Sequence, residues 1–309
     1  MNVKEYISNF GWKIFCIKAV RKNFYDNYSP IGIKLCLINE NIIKKYLSKN
    51  IVEEIKKLPN NESVYINAAV PKNNIIWTMW WQGLNNAPKI VKACINNLKR
   101  KNPTKEVIVI TKDNYQNYVQ LDSRIIQSMK KEKISITHFS DIYRTNLLYL
   151  YGGIWIDSTV WATKTIDKGI FEKNFYSINT GIYTNDPSHG RWTTFFLEAT
   201  AGSKVLNFVR KCFDIYCKKY DLFLDYILFD YFIALAMEEN KDIKQIINSV
   251  PLNNEKVFEL EKKMNQNEAI YNQYSNVETY LYKLTYKKFF KEKDMNNKPT
   301  VFYKIIKSK

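Results

Sequence analysis

The chain has 309 residues, with 47 Lys and Arg against 30 Asp and Glu, for a formal net charge of +17. Hydrophobic residues make up 46% and aromatics 15%, enough to build a substantial core and to exclude wholesale disorder. So positive a chain suits polyanionic partners such as nucleic acid, an anionic membrane surface or a diphosphate-bearing substrate. The basic residues are nevertheless spread along the chain without a helix-turn-helix, zinc-finger or ribonucleoprotein motif, so no specific nucleic-acid partner is expected.

The first seventy residues read mainly as helix. Trp12, Ile14, Phe15, Ile17 and Val20 sit among Lys13, Lys18, Arg21 and Lys22, a basic amphipathic stripe with two open fates: packing on its own domain or lying on a membrane. A second helix is predicted from Glu40 to Leu58, closed by Pro59. Near residue 73 the pattern changes. Ile75 to Trp80 reads as a buried strand, 88–101 as a helix opened by Pro88, Val107 to Ile110 as a second strand, and Tyr115 to Leu121 as a helix. The resulting division is a helical N-terminal extension (1–72), an α/β domain (73–250) and a C-terminal segment (251–309).

Residues 138–160 carry the most information. Ser140 is a predicted N-cap with Asp141 in the first turn, Ile142, Leu147, Leu148 and Leu150 supply helical apolar spacing, and Gly152-Gly153 ends the helix. Ile154-Trp155-Ile156 is then compatible with a buried strand that stops at Asp157. Ligands of open α/β sheets gather at the carboxyl ends of strands, which makes Asp157 a site candidate. Taken singly, each element has an ordinary reading: a C-cap, a turn-forming Asp, an Asp141/Arg144 intrahelical ion pair. Their order and spacing favour a functional one.

Ser140-Asp141, Arg144, Leu147, Tyr151-Gly152-Gly153 and Ile156-Asp157-Ser158-Thr159, with Trp80-Trp81-Gln82-Gly83 upstream, resemble the Asp-X-Asp glycosyltransferases that use sugar nucleotides. Among these the chain is most similar to bacterial capsular polysaccharide synthesis proteins, relatives of glycosyltransferase family thirty-two and of the clostridial glucosylating toxins. The resemblance is strong over residues 75–165, extends to about 290 and is absent from the first 70. It implies a GT-A-type fold with a single Rossmann-like nucleotide-binding domain.

It also implies a reaction: transfer of a hexose from a nucleoside diphosphate sugar to a capsular or cell-surface glycan or a lipid-linked oligosaccharide, with Mn²⁺ or Mg²⁺ and retention of configuration. By the same resemblance Asp157 serves the metal and the donor ribose, Asp141 and Arg144 face the donor sugar, and Trp81 and Gln82 hold the base. Trp80 is expected in the core. A lysine in Lys283-Leu284-Thr285, or Lys287 beyond it, would return to the leaving diphosphate. Asp230 is a site candidate on a helix predicted from Leu222 to Glu238 that also carries Asp225 and Tyr226, and a structural role for it is equally open. Asn179-Thr180-Gly181 and His189-Gly190-Arg191-Trp192 are expected as acceptor-side loops, and Phe195 to Tyr220 as helix. Where Asp-X-Asp has its second acid this chain has Thr159, as the capsule branch commonly does. A hydroxyl is a poorer ligand for a hard divalent cation than a carboxylate.

An apolar strand followed by Asp157-Ser158-Thr159 also resembles the nucleophile loop of haloacid-dehalogenase phosphatases. That chemistry calls for further acids downstream, commonly an Asp-Asp pair, and the chain contains no Asp-Asp. Five cysteines without a CxxC pair, with only two histidines, make no zinc set and suit reduced thiols. With no leader-like start and no run near the ~20 apolar residues of a membrane span, a cytoplasmic protein is expected, with peripheral contact at the anionic inner face of the plasma membrane.

Overall fold

The computed structural model describes residues 3–58, 67, 70, 74–166, 173–275 and 279–308. Helices α1 (Val3–Phe10), α2 (Trp12–Phe24) and α3 (Pro30–Leu47) open the chain, and a wider turn over Ser48–Val52 carries α3 into α4 (Glu53–Ile55). α3 starts well before the predicted Glu40. Ser29 Oγ accepts from the Gly32 amide at 3.2 Å, and Pro30, whose φ is already helical, follows the cap. Pro59 and the predicted boundary near 73 lie outside the described residues.

The inner part of the basic stripe on α2 packs on the protein, through Ile14, Phe15 and Ile17, whereas Trp12 and Val20 stay exposed. Lys18 and Arg21 turn inward to the Asp225 carboxylate at 3.7 and 3.5 Å, Ile14 is buried, and the Tyr6 hydroxyl donates to the Leu224 carbonyl at 2.8 Å. None of the helices in the described residues is long and apolar enough to cross a membrane.

The α/β expectation holds for the centre of the molecule. Strands β1 (Ile75–Met79), β2 (Glu106–Ile110), β3 (Gly153–Ile156), β5 (Tyr176–Ser177) and β6 (Phe196–Ala199) form one sheet in the order β2-β1-β3-β6-β5. β1 is parallel to β2 and β3, while β6 runs antiparallel to β3 and β5. Helices cover both faces, so the strands read as continuous apolar runs. Ile75 and Trp77 point to the core shared with α7 (Ile136–Tyr151), α8 (Lys204–Lys219) and α9 (Leu228–Glu239), and Ile76 to the opposite core. On that side β4 (Val160–Ala162) pairs with β7 (Leu281–Lys283) beneath α5 (Lys89–Lys101) and α12 (Val301–Lys307). Gly153 has no room for a side chain, because a Cβ would lie 2.4 Å from the Ile75 carbonyl oxygen and φ is +92°. The second glycine of the pair therefore serves strand contact, and Gly152 caps α7.

Several predicted elements shift. α7 begins at Ile136, because Ser135 and not Ser140 caps it, accepting from the His138 amide. Asp141 thus lies in the second turn. Only a single turn, Tyr115–Asn117, stands where a helix to Leu121 was expected, and the helix is α6 (Ser123–Lys130), capped by Asp122. The predicted helix from Phe195 is strand β6 followed by α8, and α9 starts at Leu228, leaving Asp225 and Tyr226 in the loop before it. α10 (Lys241–Asn248) and α11 (Tyr271–Ser275) complete the described helices.

Glu198 is fully buried on β6, and neither carboxylate oxygen has a hydrogen-bond partner of good geometry among the described residues. Burial pushes its carboxyl from 4.5 up to about 9, with the Lys173 backbone and charge offsetting only part of that. An acid whose pKa is raised by folding binds its proton more tightly in the folded state, so its penalty is absent below pH 4.5 and grows as pH rises toward 9. Glu198→Gln, which cannot ionise, should therefore raise the melting temperature more at pH 8 than at pH 5. Equal shifts at both pH values, in melts of the two proteins side by side, would rule this out.

Candidate active site

Asp157 stands where β3 ends. Its amide donates to the Phe195 carbonyl at 2.9 Å and its carbonyl accepts from the Val160 amide at 3.0 Å, which closes a tight turn into β4 and leaves the side chain facing outward. Oδ1 accepts from Trp155 Nε1 at 3.0 Å and Oδ2 from Lys283 Nζ at 2.6 Å, while Arg144 Nη1 lies 3.6 Å from Oδ1. Lys283 reaches it because β7 pairs with β4 in a register that sets Lys283 opposite Val160. Burial alone would raise the Asp157 carboxyl. The Lys283 and Arg144 charges, with the hydrogen bonds from Lys283 and Trp155, outweigh it and hold the carboxyl down at about 2.

Arg144 is buried behind Asp157. Its guanidinium donates to the Asp141 carboxylate and the Thr194 carbonyl, its Nε donates to the Ser140 carbonyl at 3.3 Å, and the plane lies 5.1 Å from the Trp155 ring and 5.9 Å from that of Phe229. Asp141, Arg144, Asp157 and Lys283 thus alternate in charge along one line of contacts. Burial pushes Asp141 up to about 6, and the neighbouring Asp157 adds to this against the opposing pull of Arg144.

A cavity of about 520 Å³ opens in front of Asp157, within the size range of small-molecule sites. Trp81, Gln82, Arg144, Asp157, Thr159 and Lys283 all line it, so the structure brings together six of the residues singled out in sequence. Trp81 is half-buried, its ring 5.1 Å from Tyr115 and 5.0 Å from Phe139. Trp80, expected in the core, is also half-buried and lines the cavity. Its ring meets the edge of Tyr286 at 5.1 Å, and its indole N–H has no partner among the described residues.

Two expected site residues stand elsewhere. Asp141 does not line the cavity, because α7 turns it inward beneath Arg144; its contact with the cavity is through that guanidinium. Asp230 also lies off the lining. It accepts from Trp192 Nε1 at 2.8 Å, and burial, with Asp186 nearby, pushes it up to about 8. The two loops expected on the acceptor side clasp each other, the Thr180 amide donating to the Gly190 carbonyl at 3.0 Å, and His189 meets Glu40 of α3 at 3.2 Å. Sequence reasoning missed Tyr226, Phe258 and Glu261 on the lining. Tyr226 carried a signal in its neighbour Asp225; the other two had none.

The model of the family described as capsular polysaccharide synthesis protein matches residues 27–305. The chain belongs to this family. The match reaches upstream into α3, where the sequence had shown no likeness. Among solved structures, the capsule-family chain is similar to the PaToxG glycosyltransferase at 17% identity, with a TM-score of 0.36 over 79% of this chain and 99% of that one. No curated protein matches it significantly.

For a divalent metal, the capsule-family protein offers Asp157 and the nearby Thr159 at the strand end, while Glu261, the other carboxylate on the lining, is paired with Lys288. No group of three or more His, Cys, Asp or Glu side chains that could hold a metal occurs among the described residues. Both Asp157 oxygens already accept hydrogen bonds, one of them from an ammonium. Such a set fits Mg²⁺ or Mn²⁺ only where substrate phosphate and water complete the oxygen shell, the way Mg²⁺ is usually held.

Proposed function

We propose that this capsule-family protein is a GT-A-type glycosyltransferase that moves a hexose from a nucleoside diphosphate sugar to a hydroxyl of a capsular or cell-surface glycan, free or lipid-linked, with retention of configuration. One observation carries the reading: Trp81, Gln82, Arg144, Asp157, Thr159 and Lys283, spread over 81–283 of the sequence, line a single cavity at the ends of parallel strands. Trp81 offers a flat face for the base, with Trp80 beside it, and the Gln82 amide can read a base edge. Asp157 can accept from ribose hydroxyls. Arg144, held in place by Asp141, can donate to sugar hydroxyls. Lys283, already at the mouth of the donor site, can turn to the diphosphate, where negative charge grows as the glycosidic bond breaks. An interaction that strengthens toward the transition state lowers the barrier.

Mn²⁺ or Mg²⁺ held by Asp157, with Thr159 as a weak or water-mediated ligand, would neutralise part of the diphosphate charge. The protein would work in the cytoplasm at the inner face of the plasma membrane. A nucleophilic role for Asp157 in phosphate hydrolysis is disfavoured, since both its oxygens are engaged and no second acid lines the cavity beside it apart from Glu261, which pairs with Lys288 at 2.8 Å.

The direct test is a panel of nucleoside diphosphate sugars scored for metal-dependent binding and hydrolysis. One or more should bind and be hydrolysed. Tight, sequence-selective binding of DNA or RNA at physiological salt, with no response to any nucleotide sugar, would instead make the positive charge a nucleic-acid footprint. Thr159 gives a finer test of the ligand set. Thr159→Val should raise the Mn²⁺ concentration for half-maximal rate by on the order of 10-fold or less, whereas Thr159→Asp should lower it. If Thr159→Val is inactive while binding metal and donor normally, the hydroxyl acts on the substrate itself.

A further inference from the structure

Beyond Lys283, residues 284–288 line the cavity, and the chain continues through 289–300 as a braced segment that exposes two large apolar side chains among lysines. It is pinned by the Phe290 and Phe302 rings at 5.7 Å, by the Thr300 hydroxyl donating to the Lys291 carbonyl at 2.6 Å, and by a tight turn around Asp294. In that turn Asp294 Oδ1 accepts from the Asn296 and Lys298 amides, both at 2.9 Å. From this fixed scaffold Phe289 is 85% exposed and Met295 is 101% exposed. A globular surface tolerates single exposed apolar side chains. Two almost fully exposed ones on a braced segment beside a substrate cavity are less readily dismissed.

The charges on the segment are one-sided. Glu292 is paired with Lys89 at 2.6 Å, and Asp294 is taken up by the backbone of its turn. Lys287, Lys291, Lys293 and Lys298 are exposed and form no ion pair among the described residues. Basic side chains flanking large apolar ones are what an anionic lipid interface accommodates, the apolar groups entering the acyl boundary and the lysines staying with the headgroups. A soluble polyanion would use the lysines and have no use for Phe289 or Met295.

We propose that residues 286–298 are the membrane contact of this protein, docking on an anionic phospholipid surface through Phe289 and Met295, with the exposed Lys291, Lys293 and Lys298 of the same segment meeting the headgroups. Tyr286, Lys287 and Lys288, at the start of the segment, also line the cavity. Docking would therefore bring the cavity to the bilayer, where a lipid-linked acceptor would be found; this link to acceptor choice rests on the glycosyltransferase reading, whereas the lipid contact itself does not.

Co-sedimentation of the full chain with phosphatidylglycerol-containing and pure phosphatidylcholine vesicles tests it. Binding should require the anionic lipid and weaken with salt. Phe289→Ser with Met295→Ser should reduce it at least about 10-fold, as should Lys291→Glu with Lys293→Glu and Lys298→Glu. All these side chains are exposed, so melting temperatures should not move, and hydrolysis of a bound donor should stay at the wild-type rate. Trp12→Ser, on the exposed part of α2, should bind like wild type. The proposal fails if wild type ignores anionic vesicles, if the Phe289/Met295 variant binds as well as wild type, or if Trp12→Ser is the variant that loses binding. Vesicle binding that depends on Phe289 and Met295, in a protein that responds to no nucleotide sugar, would sink the proposed function and leave the membrane contact standing.

Discussion

Asp157→Asn is expected to give a folded protein whose transfer rate falls by at least about 100-fold at saturating donor and Mn²⁺, the scale of losing one preorganised electrostatic group. Asparagine keeps the shape and can still accept from Trp155. What it removes is a charge that Lys283 and Arg144 hold ionised, with the carboxyl near 2, and that any bound cation would need. The same depressed value predicts the effect on stability. A carboxyl whose pKa is lowered by folding stabilises the protein above its ordinary 3.8, and that contribution is lost as pH falls toward 2. The variant should thus be less stable at neutral pH by no more than about 2 kcal/mol and approach wild type in strong acid. Initial rates and thermal melts on the same preparations check both halves. Full turnover by the folded variant would remove Asp157 from the mechanism.

The part of this site written in consecutive residues was legible. From Leu147 to Asp157 the helix, its glycine stop, the strand and the terminal carboxylate follow each other within one helix-to-strand unit, so local periodicity and capping suffice. The start of the same helix was less legible: Ser135 and Ser140 are both acceptable caps, and the helix begins one turn earlier, where Phe139 packs against Trp81, Tyr115 and Tyr143. Lys283 was named from resemblance alone. Nothing local could show that β7 would lie against β4 and deliver its ammonium to a carboxylate 126 positions away.

The antiparallel half of the sheet was hidden for a different reason. Phe196–Ala199 is a four-residue strand buried on both faces, so it has no alternation to read, and it is followed at once by the strong helical period of α8. Asp225 and Asp230 were read together on one helix. The fold parts them: Asp225 ends in ion pairs with Lys18 and Arg21 of α2 and Asp230 beside Trp192. Burial of acids, which pushes Asp230 and Glu198 far up, depends on which neighbours the tertiary fold supplies, and a single sequence does not carry that information.

Arg144→Met should have the largest effect on stability of any single change at the site, about 3 to 5 kcal/mol, together with loss of transfer. Methionine fills much of the space between the Trp155 and Phe229 rings, so a cavity is not the main cost. The cost is electrostatic. Breaking a buried pair from one side leaves an uncompensated carboxylate, and Asp141, at 5% exposure, has no other cation beside it among the described residues, whereas Asp157 retains Lys283. Asp141 is already pushed up to about 6 by burial with Arg144 present, and without that guanidinium it will rise further. A raised acid leaves stability intact below its unfolded value and erodes it as pH climbs toward the folded one, so the Arg144→Met deficit should be small near pH 4 and largest above pH 7. Adding Asp141→Asn removes the stranded charge, and the double variant should recover most of the lost stability while remaining inactive, because the cavity-lining guanidinium is still missing. Urea melts of wild type, both single variants and the double variant at pH 5 and 8 give the coupling directly. Additive losses, with no rescue at either pH, would mean that Arg144 holds this region through the Thr194 and Ser140 carbonyls and not through Asp141.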